Sequence, residues 1–227
     1  VCTGYGKTYN PANSELKVNF LTNKYNDVKA TMENVTTTKA IFDRATGERY
    51  ETFAGIRPLC TRITNSFKIS GADKTLIRRV NSLNNKIQGK SSSKTENKES
   101  ALSLTIKKKH NSTSEQSFRK LADHFSNCLE VIRQSEIYNP NEEDLKLVSL
   151  RELSDKLYHQ NAEVKRTYNN YKTAMIERNK IMYNDERSMA QIAKEVKLYV
   201  KSLYGGHSAE YKQIGICNIS IPKVNTL

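Results

Sequence analysis

A ten-residue pattern occurs twice in this chain. Tyr9-Asn10-Pro11-Ala12-Asn13-Ser14-Glu15-Leu16-Lys17-Val18 returns 129 residues later as Tyr138-Asn139-Pro140-Asn141-Glu142-Glu143-Asp144-Leu145-Lys146-Leu147. In each copy a proline ends what precedes it, and acids or capping residues follow. That combination marks a helix start, since proline lacks only an N–H that the first turn would leave unpaired. Acids in that turn also face the positive end of the helix dipole. A matching stop lies further on, where Phe67-Lys68-Ile69-Ser70-Gly71-Ala72 corresponds to Lys201-Ser202-Leu203-Tyr204-Gly205-Gly206. Glycine there suits the left-handed residue that closes many helices. A repeated start and stop around stretches of similar length predict a duplicated helical unit.

What lies between these signals is helical in pattern. Only nine Gly and four Pro are present in 227 residues, too few to turn the strands of a sandwich or barrel every 8–12 residues or so. Apolar spacing predicts a long helix over about 13–53 with Leu16, Phe20, Leu21, Val28, Met32, Val35, Ile41 and Phe42 on one side. After the break at Gly55 and Pro58, Leu59, Ile63 and Phe67 follow at intervals of four. Leu76, Val80, Leu83 and Ile87 mark a helix over about 73–87 capped by Asp73. Phe118, Leu121, Ala122, Phe125, Cys128, Leu129 and Ile132 form a near-continuous i, i+3, i+4, i+7 stripe over about 115–136. A second long helix is expected over about 141–183 and a shorter one over about 186–204. Within 215–222 the residues alternate apolar and polar, which suggests a short extended segment.

The expected fold is all-α: an elongated antiparallel helical bundle of two pseudo-repeated long-helix/short-helix units. The division expected is a first unit over 1–89, a Lys/Ser-rich linker over 90–114, and a second unit over 115–227 that shares one core with the first. Within the linker, Ala101-Leu102-Ser103-Leu104-Thr105-Ile106 alternates like a short strand or docking segment.

Charge is concentrated. The chain carries +13 overall, and Arg57 to Lys120 hold fifteen Lys/Arg against Asp73, Glu96, Glu99 and Glu115. Such asymmetry suits a partner rich in phosphate or acidic groups, although lysine-rich loops also serve solubility. Arg78, Arg79 and Lys86 on the helix over 73–87, with Lys107, Lys108 and Lys109 in the linker, are the candidate phosphate contacts. A helix, a Ser70-Gly71-Ala72 turn and an arginine-bearing helix also outline a helix-turn-helix reader, though the same turn joins ordinary bundle helices.

No catalytic set is legible. Gly4-Tyr5-Gly6 and Gly205-Gly206 have neither phosphate-loop nor dinucleotide spacing. His110, His124, His159 and His207 stand apart from one another and from Cys2, Cys60, Cys128 and Cys217, so no zinc spacing arises. Glu142, Glu143 and Asp144 read as first-turn acids, and Tyr168, Tyr171, Tyr199 and Tyr204 as core residues with hydroxyls at the rim. Cys60 and Cys128 fall on apolar stripes, as free thiols acting as small hydrophobes do. No cofactor and no metal site is expected. No apolar run approaches the ~18 residues of a membrane span, and residues 1–7 lack a signal-peptide pattern. These points lead to an expectation of a cytoplasmic protein.

Asn85-Lys86-Ile87-Gln88-Gly89, Tyr138-Asn139-Pro140, Val196-Lys197-Leu198-Tyr199-Val200-Lys201-Ser202 and Glu210-Tyr211-Lys212-Gln213 together resemble a family of uncharacterised, duplicated helical proteins common in Bacteroidetes-type bacteria. The resemblance covers most of the chain. It implies the helical fold and contributes no site, because that family has no assigned activity. The expected function is thus a non-enzymatic helical scaffold or interaction protein with a protein partner or a homo-oligomeric state. The alternative is non-specific binding of nucleic-acid phosphates through residues 57–120.

Overall fold

The computed structural model describes residues 1–90, 115–217 and 219. Among them every regular element is helical and none is a strand. The elements are α1 (Val18–Ala54), α2 (Ile56–Ile69), α3 (Lys74–Ile87), α4 (Phe118–Arg133), α5 (Leu147–Asn179), α6 (Met189–Tyr204) and α7 (Ala209–Gly215). Three short 3-10 turns (Cys2–Thr8, Ser14–Leu16, Glu143–Leu145) and one π-turn (Lys180–Asn184) complete them. No helix of the described residues is long and apolar enough to cross a membrane.

Residues 1–43 and 166–227 form one compact unit (unit 1), and residues 44–165 form the other (unit 2). The boundaries of this grouping fall inside α1 and α5.

In unit 2 the core is built by α2, α3 and α4 with parts of the long helices. Phe67, Ile63, Val80, Ile87, Phe125, Ile132 and Leu157 are essentially inaccessible to solvent. The stripe on α4 explains its place there, since Leu121, Ala122, Phe125, Cys128, Leu129 and Ile132 all enter this core. Each buried aliphatic or aromatic side chain contributes about 1.5–3 kcal/mol through water release. α3 and α4 are thus core elements of unit 2.

Unit 1 has a smaller core of Tyr9, Leu16, Ile192, Val196, Val200 and Ile214. Around it Cys2, Tyr5, Val18, Phe20, Leu21, Tyr199, Tyr204 and Tyr211 are only partly buried. Helix α7 is missing from the sequence expectation, which had an extended segment beginning at Gly215; Gly215 is instead its last residue. Ser208 starts α7 by accepting the Tyr211 N–H at 3.0 Å, a polar cap that a search for apolar periodicity passes over. The rest of the expected extended segment, and the alternating stretch at 101–106, lie outside the described residues apart from residues 216, 217 and 219.

Both Tyr-Asn-Pro segments adopt the same local structure. The Tyr9 hydroxyl donates to the Leu16 carbonyl at 2.8 Å, and the Tyr138 hydroxyl donates to the Leu145 carbonyl at 3.0 Å. Each closes a 3-10 turn, Ser14–Leu16 or Glu143–Leu145. The residue before the turn has φ/ψ of −68°/118° at Asn13 and −68°/122° at Glu142. The residue after it is extended in both, at Lys17 and Lys146, and its carbonyl accepts the first bond of the long helix from Leu21 or Leu150 at 3.0 Å. The glycines after α2 and α6 also match, with φ of 84° at Gly71 and 90° at Gly205.

Candidate functional site

Helix α3 carries the clearest charged surface. Asp73 caps it, accepting the Thr75 N–H at 2.7 Å, and this bond holds its carboxyl below the usual carboxylate range. Apolar Leu76, Val80, Leu83 and Ile87 turn one side of the helix inward. At 100° per residue Lys74, Arg78, Ser82 and Asn85 fall opposite that stripe, and Arg79 and Lys86 on its flank. All four cations are exposed. From Lys74 to Lys86 the helix advances roughly 18 Å.

The ion pairs of unit 2 among the described residues leave this row alone. They join Arg62 to Asp144, His124 to Glu115, Arg133 to Glu130, Lys146 to Glu143 and Arg44 to Glu48. Beside the row, α3 and α4 enclose a shallow groove of about 360 Å³ lined by Arg79, Ser82, Leu83, Asn127, Glu130, Val131 and Gln134. Glu130 is already held by Arg133 at 3.0 Å, so Arg79 is its free charge.

The sequence-predicted contacts are therefore only partly brought together. Arg78, Arg79, Lys86 and Lys74 are all exposed on α3, Arg78 with Lys74 on the outer side and Arg79 with Lys86 on the flank, and Lys107, Lys108 and Lys109 lie outside the described residues. The main chain under Lys86 is fixed by a helix stop. Gly89 (φ 74°) donates to Lys86 O at 3.1 Å and Lys90 donates to Asn85 O at 2.9 Å, a Schellman closure. Gln116 donates to the Lys86 carbonyl at 2.6 Å, and Arg57 donates to the Ile87 carbonyl at 3.2 Å and to Gln116 Oε1 at 2.7 Å. The segment Asn85–Gly89 is thus a built cap. Asn85 and Lys86 are its exposed side chains.

The other polar features have structural partners. His124 is buried, with Nε2 2.6 Å from Glu115 Oε2, and that hydrogen bond holds the Glu115 carboxyl below its ordinary range. Asp144 is held low by its bidentate Arg62 partner. In unit 1 Glu15, at the position matching Asp144, is 2.5 Å from Arg187. Arg187 also binds both oxygens of Glu195, whose carboxyl is lowered by Gln191 and then by Arg187. Of the tyrosines named above, Tyr168 and Tyr171 ring-pair with Phe42, and Tyr199 packs edge-on against Tyr9. Sequence reading did not find the Glu15–Arg187 and Asp144–Arg62 ties, because the arginines are remote from the turns they hold. All four cysteines are free thiols. Among the described residues no group of three or more His, Cys, Asp and Glu could hold a metal ion.

Chemically, the α3 row can attract and hold an extended polyanion. No protein-family model, curated protein or solved structure that was compared with the chain matches it.

Proposed function

We propose that this chain is a non-enzymatic helical scaffold made of two diverged copies of one long-helix/short-helix unit, acting through a protein partner or a second copy of itself. One observation carries the duplication. Two segments 129 residues apart close the same tyrosine-to-carbonyl bond, the same 3-10 turn and the same extended entry into a long helix. An arginine from elsewhere in its own unit holds the acid at the same place in each turn. Such doubling builds a framework with two related surfaces, which suits assembly. A cytoplasmic setting belongs to this reading and is supported by the four free thiols. Light scattering of the pure chain, with cross-linking in lysate, tests it. The expected result is a defined oligomer or a defined partner complex; a monomer that captures nothing contradicts it.

The α3 row supports a second reading, contact with nucleic-acid phosphates independent of sequence. Four cations that neutralise four phosphates give a log–log salt slope of about −3.6 on duplex DNA. Arg78→Gln with Arg79→Gln should flatten that slope by about 2. Absence of binding at ~50 mM salt, where such contacts are strongest, removes this reading.

A further inference from the structure

Helices α3 and α4 of unit 2 run antiparallel and lay two polar stripes along one groove. Beyond the C-terminal end of α3, a side chain at Gly89 would come within 3.2 Å of Gln116, just before α4. Before its N-terminal end, one at Gly71 would meet Ile137, just after α4, at 3.9 Å. On α3, Arg79, Ser82, Leu83 and Lys86 stand at i, i+3, i+4 and i+7. On α4, Lys120, Asn127, Val131 and Gln134 stand at i, i+7, i+11 and i+14. Each set therefore runs along one side of its helix. Val131 is buried and Leu83 half-buried, so the floor is apolar, whereas the six polar members are exposed.

The charges beside this groove are unevenly engaged. Two carboxylates stand there, and both have partners: Glu130 is held by Arg133 at 3.0 Å, and Glu115 lies 2.6 Å from His124 Nε2. His124 first, and then Lys120 and Lys86, hold the Glu115 carboxyl low, which sets both lysines near one point at that end of the groove. None of the ion pairs of unit 2 among the described residues takes Arg79, Lys86 or Lys120. The 360 Å³ hollow lies between Arg79 and Ser82 on one side and Asn127 and Gln134 on the other. The groove thus has cations on both helices, with a hydroxyl and two amides between them.

We propose that this groove takes one strand of an unpaired nucleic acid, with its phosphates on Arg79, Lys86 and Lys120 and its sugars and base edges on Ser82, Asn127 and Gln134. The proposal rests on the reading of α3 as a contact for nucleic-acid phosphates and names the class of partner. Packed helices lie about 8–10 Å apart, so the channel between them admits a single backbone, and a duplex must ride over both helices. The amides of Asn127 and Gln134 both donate and accept, which suits the Watson–Crick edges that an unpaired strand leaves free. No aromatic side chain lines the hollow among the described residues. Base stacking therefore adds little, and phosphate contacts carry the affinity. Lys74 and Arg78, on the outer side of α3, point away from the strand and are not needed for it.

The probes are fluorescein-labelled oligothymidine and oligouridine strands of ~12 nucleotides, a usual span for one binding site, and the thymidine strand paired with its complement. Each is titrated with the whole chain and followed by anisotropy across a salt series. Both single strands should bind more tightly than the duplex at ~50 mM salt, with a log–log slope of about −2 for three neutralised phosphates. Arg79→Gln with Lys86→Gln should flatten that slope by about 1.4, and Lys74→Gln with Arg78→Gln should leave it nearly unchanged. Asn127→Ala with Gln134→Ala should weaken binding about fivefold at every salt concentration, because neutral hydrogen bonds release no counterions. All these positions are exposed, and circular dichroism checks that each variant retains its fold. Duplex binding as tight as that of the single strands overturns the groove and leaves the phosphate reading standing. So does a larger change of slope from Lys74 and Arg78 than from Arg79 and Lys86. Absence of binding by all three probes at ~50 mM salt, where such contacts are strongest, overturns both.

Discussion

Unit 1 and unit 2 start their long helices with the same device and then diverge in how they cover it. The tyrosine, the 3-10 turn and the arginine-held acid are common to both. Among the described residues nineteen are buried in the core of unit 2 with seven apolar residues partly buried around them, whereas in unit 1 eight are partly buried around a core of six. The local turn is thus independent of how much core surrounds it. A tyrosine hydroxyl that donates to a backbone carbonyl and a short helical turn are satisfied by nearby residues, while burial depends on which helices are supplied.

The largest expected effect separates the cores. Phe125→Ala in unit 2 removes a wholly buried ring and should cost about 4 kcal/mol in a urea unfolding experiment, against about 2 for Ile192→Ala in unit 1. Ile192 is 1% exposed, so the smaller figure follows from the fewer atoms that its truncation removes. Equal losses would mean that the site of the smaller side chain collapses less.

Next come the two anchors. Tyr9→Phe and Tyr138→Phe each delete one buried hydrogen bond of 2.8–3.0 Å. Each should cost about 1 kcal/mol, and the two should agree within a few tenths. Divergent values would show that the turns only look alike.

Acid should act on both units through the carboxylates held low: Glu195 in unit 1 and Asp73, Glu115 and Asp144 in unit 2. A carboxyl whose folded-state pKa lies below its unfolded value stabilises the fold above that unfolded value, about 4. The contribution is lost as pH falls through the folded-state pKa. Stability should therefore be flat near neutrality and decline below about pH 4. Asp144→Asn should shallow that decline. An unchanged slope would remove the Arg62 pair from the account.

The smallest effect is chemical rather than thermodynamic. Burial pushes the Cys128 thiol up to about 12 and the Cys60 thiol higher still, while Cys217 is exposed. Ellman's reagent should titrate Cys217 at once, half-buried Cys2 more slowly, and Cys60 and Cys128 only on unfolding. Prompt reaction of all four would mean that the core of unit 2 is open.

Much of this was legible in the residues. Tyr-Asn-Pro followed by acids marked both long-helix starts, and the stripe Phe118–Ile132 marked α4, because start signals and 3.6-residue periodicity are local properties. Three things were not legible. Helix α7 is short, and its cap at Ser208 is polar. The arginines that hold Glu15 and Asp144 lie far along the chain from their partners, so only the folded structure pairs them. Met32 fits the apolar side of α1 by spacing yet is exposed, since periodicity says which side of a helix is apolar and not what covers it. For the candidate site, α3 and its row of Arg78, Arg79 and Lys86 followed from spacing alone, and Lys74 completes that row.

The likeness of the two turns is tested most directly by native-state hydrogen exchange. The Leu21 and Leu150 amides make the first bond of α1 and of α5 at 3.0 Å. Each should open at a free energy lower by about 1 kcal/mol when Tyr9→Phe or Tyr138→Phe removes the bond that closes the turn before it. A loss of protection at one helix start and none at the other would contradict the likeness.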